Sequence, residues 1–172
     1  MKAKILMFAI VIASLFSFIP FANTAKAQTD PTQNIPVTGT FGTAGTFTGN
    51  YDIVKFVVDN GKIYSVGYLS GTLKNGAGTV IGHISNKKVL LPVTTLTSTC
   101  EILHLVLGPV NLNLLGLKVH LNKVVLDISA TAAPGDLLGN LLCTLAHLLD
   151  IGASLTQIVN ILNQILAILA AL

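Results

Sequence analysis

The apolar spacing of this chain changes period once, at Ala133-Pro134-Gly135, and that single change limits the folds open to it. Before it, apolar residues recur at every second position, as in a half-buried strand. After it they recur at intervals of three and four, as in an amphipathic helix. Strands first and helices last point to an α+β domain and away from alternating βαβ units. The expected architecture is a twisted antiparallel sheet or partly closed β-barrel from residue 37, with two C-terminal helices within residues 136–172 packed on it.

Residues 37–48 alternate, with Val37, Gly39, Phe41, Thr43, Gly45 and Phe47 on one face and Thr38, Thr40, Gly42, Ala44, Thr46 and Thr48 on the other. One short segment is not a repeat array and threonine is a good strand former, so these threonines read as ordinary strand, not as an ice- or glycan-facing ladder. Tyr51–Val58 and Lys62–Leu73 flank Asn60-Gly61, a pair suited to a type I′ turn. That turn sets Asp59 opposite Lys62, Val58 opposite Ile63 and Val57 opposite Tyr64. Apolar groups on both faces predict a hairpin covered on both sides. Residues 74–78 read as a turn; the glycines of 71–78 lack the Gly-Lys-Ser/Thr ending of a phosphate cradle. Thr79–Ile84 and Lys87–Val93 are expected to pair around Ser85-Asn86, with Pro92 at an edge or strand end. Glu101–Leu107 and Leu117–Ile128 are the clearest later strands. In the second, the alternation slips by one near Asn122-Lys123, which predicts a bulge or a tight reversal.

Asp136 is positioned to cap a helix starting at Leu137, and Gly152 to stop it. Ser154-Leu155-Thr156-Gln157 has the form of a capping box opening a second helix. There Leu155, Ile158, Val159, Leu162, Ile165, Leu166 and Leu169 form an apolar face opposite a stripe of Gln157, Asn160, Asn163 and Gln164. Those amides, with no flanking Lys or Arg, argue against a membrane span. The stripe is expected to face water. The apolar face either packs on the sheet or lines a cleft for a lipid-like molecule.

At the other end, Lys2 and Lys4 precede an apolar run from Ile5 to Phe18, and Ala25-Lys26-Ala27 supplies small residues before Gln28. This is the layout of a secretory signal peptide cut after Ala27, too short for a bilayer span. Residues 28–36 read as a flexible lead-in and 37–172 as one domain. A secreted or periplasmic location permits disulfides, so Cys100 and Cys143, the only cysteines, are expected to pair. Beyond position 27 seven lysines balance seven carboxylates, and the chain has no Arg. That charge pattern gives nucleic acid no electrostatic footprint.

The stretches Cys100-Glu-Ile-Leu-His-Leu-Val-Leu-Gly-Pro109, Asn113-Leu-Leu-Gly-Leu117 and Gly135-Asp-Leu-Leu-Gly-Asn-Leu-Leu-Cys143 resemble a group of exported, uncharacterised bacterial proteins, and the region from Phe47 to Leu73 is similar to the N-terminal part of that group. The resemblance covers most of the chain after residue 27. It implies export and a bacterial source, and brings no activity, cofactor or catalytic residue.

Candidate chemistry is sparse. His104 and His120 both lie on strands and would approach Asp127 or Asn113 if those strands pair, but their spacing matches no usual zinc pattern, so no metal site is expected; they are its only candidates. Neither Gly-x-Ser-x-Gly nor His-Glu-x-x-His occurs. Of the seven carboxylates, Asp59 and Asp136 are assigned to a turn and a cap. The expected role is a non-enzymatic exported binding or surface-interaction module with no cofactor. Its partner is a protein, a surface or a second copy. A carrier of apolar small molecules is the alternative, and a metal-dependent enzyme comes third.

Overall fold

The computed structural model describes residues 30–172, so the expected signal peptide lies outside the described residues. Four strands, β1 (Ile35–Phe41), β2 (Gly45–Asp59), β3 (Lys62–Lys74) and β4 (Val80–Ser98), form an antiparallel meander. Four shorter ones follow: β5 (Ile102–Leu107), β6 (Val110–Leu114), β7 (Leu117–Leu121) and β8 (Val124–Ser129). All eight join one antiparallel sheet that is not closed, in the order β6-β7-β1-β2-β3-β4-β5-β8. Helices α1 (Leu137–Asp150) and α2 (Leu155–Leu169) pack on it. The α+β reading holds.

The β2–β3 hairpin has the expected register. Asn60 and Gly61 both take positive φ, and Val58 faces Ile63 as Val57 faces Tyr64. Only one side of the hairpin is covered, however. Val54 and Tyr68 are exposed because the helices occupy the inner face alone. Residues 37–48 are a hairpin, not one run. Phe41 pairs with Gly45 across a three-residue turn, so odd-numbered residues face odd-numbered ones and the alternation passes through the reversal unchanged. Residues 79–93 correct the expectation in the other direction. From Val80 on they belong to the single strand β4, and Asn86, at φ 47°, forms a bulge whose N–H donates to Ser70 Oγ at 3.0 Å. Pro92 ends the ladder with β3, and Val93 opens the one with β5.

The slip at Asn122-Lys123 has a different origin from either expectation. Strands β5 and β6 pair with β8 and β7 in one constant register, from Ile102 opposite Ser129 to Leu114 opposite Leu117. They form a single long ribbon interrupted where Gly108-Pro109 stands across from Asn122-Lys123. Beyond the break the ribbon changes neighbours: β5 pairs with β4 at one end of the sheet, and β7 with β1 near the other. Two-residue links therefore join strands at opposite ends of the sheet, which requires the sheet to curl. At the remaining seam, Lys87 Nζ donates to Asn113 O at 2.6 Å. Curling brings strands close at Gly67, where an added Cβ would stand 2.6 Å from the Tyr51 ring and press on the Asp52 carbonyl; a side chain there has no room.

Helix α1 starts at Leu137, but the Asp136 side chain makes no capping bond. Its end is a Schellman motif: Gly152 at φ 65° donates to Leu149 O and Ala153 N–H to Leu148 O. Helix α2 opens with the full capping box of Ser154 and Gln157. Ile158, Val159, Leu162, Ile165, Leu166 and Leu169 are buried in the same core as Phe47, Tyr51, Leu105 and Leu126. Asn163 departs from the expected solvent-facing stripe. Its Oδ1 accepts from Phe56 N–H at 2.8 Å, and its Nδ2 donates to Phe56 O at 3.0 Å. Strand β1 does not reach this part of β2, so one side-chain amide stands where a neighbouring strand would. Residues 30–36, expected to be flexible, continue that cover: Thr32 O accepts from Ile53 N–H, Asp52 accepts from Asn34 N–H, and β1 starts at Ile35.

Candidate interaction surface

Because β1 and β2 keep odd residues inside, their even residues share the outer face, and β3 brings its own even residues into line. Thr38 pairs with Thr48 and Thr48 with Thr72; one row further, Thr40 pairs with Thr46. Five threonines from three strands thus lie on one side of the sheet, Thr72 half-buried and the others exposed. Neighbours within a row are about 4.7–4.9 Å apart in a β-sheet, and successive rows about 6.6–6.8 Å. The same face continues through Asn50 opposite Ser70 to Asp52 opposite Tyr68, whose ring is 43% exposed.

Polar pairing extends the rows at both ends. Asn122 Nδ2 donates to Thr38 Oγ1 at 2.9 Å, and Thr72 Oγ1 lies 3.3 Å from His83 Nδ1. The paired residues of the threonine rows include no carboxylate; Lys74, opposite Thr46, carries the only full charge there. Asp52 is turned to Asn34 N–H at 2.6 Å. Below Tyr68 the face becomes more apolar, with Val54 and Leu90 exposed beside Lys55 and Lys88. The inward face behind it is dry. Tyr51 Oη lies 2.7 Å from Ser65 Oγ, and burial pushes its hydroxyl up to about 12, against a smaller lowering effect of that hydrogen bond.

Cys100 and Cys143 form the expected disulfide, tying the β4–β5 loop to α1. The seven residues named as a possible apolar-ligand lining are placed differently. Six are buried in the core; Leu155 is half-buried and joins Ile158, Ile63, Leu96 and Leu149 around an open groove of about 260 Å³ with Lys62 at its rim. His104 and His120 do not converge. His104 Nδ1 meets Asp127 Oδ1 at 2.5 Å on the β5–β8 half of the ribbon, and His120 Nδ1 meets Asn111 Oδ1 at 2.9 Å on the β6–β7 half. No group of three or more His, Cys, Asp or Glu suited to a metal occurs among the described residues. Ser85 and Lys88 have Ser-x-x-Lys spacing but lie in an extended strand, not on a helical turn where such side chains meet. Exposed Leu137 and Leu172 flank a second shallow groove at the α1 start and α2 end. No described helix is long and apolar enough to cross a membrane.

Sequence reasoning set the threonines of 38–48 aside as ordinary strand and did not see that they continue onto β3. The available signal was the recurrence of even-numbered Thr on both sides of a turn. Only the register showed that Thr72 joins them. Comparison with protein-family models, with curated proteins and with solved structures gives no match, so the functional reading rests on geometry.

Proposed function

We propose that this protein is a non-enzymatic, exported module that binds a partner or surface through the outer face of its meander. One observation carries the reading: the helices and the inward strand residues form the core, leaving an outer face of paired polar side chains that no helix or strand among the described residues covers. The disulfide suits an oxidising compartment, as export would provide. A second reading, carriage of an apolar small molecule, draws on the groove of about 260 Å³ beside Leu155 and Ile158.

Two measurements test this. Sedimentation with a bacterial envelope preparation should carry the protein into the pellet, and a Thr48→Glu variant should stay in the supernatant with an unchanged melt. Equal partition of both proteins refutes the outer face as the binding surface. Native mass spectrometry of the purified protein separates the rivals: a co-purifying lipid mass favours the carrier, and a bound divalent ion favours the metal-dependent enzyme.

A further inference from the structure

We infer that the threonine rows, with Tyr68 at their lower end, bind a neutral polysaccharide chain; the inference rests on the interaction-module reading and names its ligand class. Nucleic acid, anionic lipid and acidic peptide all need clustered cations, and the threonine rows carry Lys74 alone, with Lys55 and Lys88 set apart beside Tyr68. An apolar protein partner needs a hydrophobic centre, and here the centre is hydroxyl and amide. Each threonine hydroxyl both donates and accepts, as does each hydroxyl of a sugar, so a neutral polyol can pair with the face without unmatched charge.

Shape agrees with chemistry. The rows run across β1, β2 and β3 on an open face and so fit an extended chain better than a single small molecule. Tyr68 adds an exposed ring, apolar in body and polar at its tip, against which the C–H face of a sugar can pack. Asp52 and Lys88 stand on either side of Tyr68 in register, one charge of each sign, and Asp52 accepts from Asn34 N–H.

The test is co-sedimentation of the purified protein with insoluble cellulose, chitin and a neutral β-glucan, run beside heparin-agarose and phosphatidylglycerol vesicles. At least one neutral polymer should retain the protein, with little dependence on added salt, while heparin and vesicles should not. Thr48→Val/Thr72→Val keeps side-chain shape and removes two hydroxyls. It should weaken retention about tenfold or more, the factor corresponding to one or two lost hydrogen bonds. Tyr68→Ala should do the same, and both variants should melt as the parent does. Failure on every neutral polymer, retention unchanged in both variants, or preference for the anionic supports overturns the inference. If envelope partition through this face survives such a failure, the module reading stands and only the ligand class falls; if partition fails too, both fall.

Discussion

Replacing Asn163 by alanine removes the side chain that pairs with both backbone groups of Phe56 on the free edge of β2. Two hydrogen bonds are lost, each worth about 0.5–1.5 kcal/mol net, and a part-buried N–H and C=O are left with only partial access to water. The expected cost is about 2–4 kcal/mol. For a domain of this length each kcal/mol moves the melting midpoint by roughly 3–4 °C, so the midpoint should fall by roughly 6–15 °C. Asn160→Ala is the control. Asn160 belongs to the same amide stripe but is exposed, and its loss should stay within about 0.5 kcal/mol. Amide exchange at Phe56 should accelerate in the Asn163 variant alone. Equal melting shifts in the two variants would show that the whole stripe faces water and that Asn163 does not substitute for a strand.

Other perturbations probe the rest of the scaffold. Cys100→Ala/Cys143→Ala opens a cross-link spanning 43 positions and should cost about 4 kcal/mol in the chain-entropy account; an unchanged denaturation midpoint would contradict it. Ending the chain after Gly152 removes six buried α2 side chains worth about 1.5–3 kcal/mol each, together comparable to a typical net stability of about 5–15 kcal/mol, so the cooperative melt should vanish. Tyr51 holds its proton in the folded state to about pH 12 against 10.0 for the free side chain. The folded state therefore binds more protons than the unfolded one in that window. Its contribution is complete below pH 10 and fades as pH rises towards 12, by about 2–3 kcal/mol, a slope that Tyr51→Phe should lack in denaturant titrations. Gly67→Ala sets a methyl group against the Tyr51 ring and the Asp52 carbonyl and should cost about 1–3 kcal/mol by thermal melt.

What could be read from the sequence was what local chemistry determines. Asn60-Gly61 dictates its turn through positive φ, and Ser154 with Gln157 caps α2 through bonds closed within four residues. The disulfide followed from compartment and count. The misread strands share one cause, which is that period-two patterns carry no information about partners. An alternating run can pass through a turn of odd length, as at 42–44, or through a bulge, as at Asn86, and it can leave one strand for another at the far end of the sheet, as at Asn122-Lys123. Strand β6 went unread because Val110–Leu114 is short and only its pairing with β7 gives it identity. Asn163 was placed in a solvent stripe because helical periodicity assigns a face and cannot see that β1 stops short of Phe56.

The same geometry explains why the outer face is open to a role of its own. On β2 and β3, Phe47, Tyr51, Leu69 and Leu73 point inward and fill the core with α2, so the outward residues of these strands contribute little to packing. Strand propensity does not demand threonine at those positions, since valine has nearly the same shape and favours strands as well. The lower part of this face does carry valine, with Val54 exposed and Val66 outward beside it. The upper part places hydroxyls at five cross-strand positions. Folding accounts for a β-branched side chain at each of them, and exposure alone for a polar one. An uncharged row of matched donors and acceptors is what remains, and it is why exchanging hydroxyl for methyl should leave the melt in place while changing what the surface can hold.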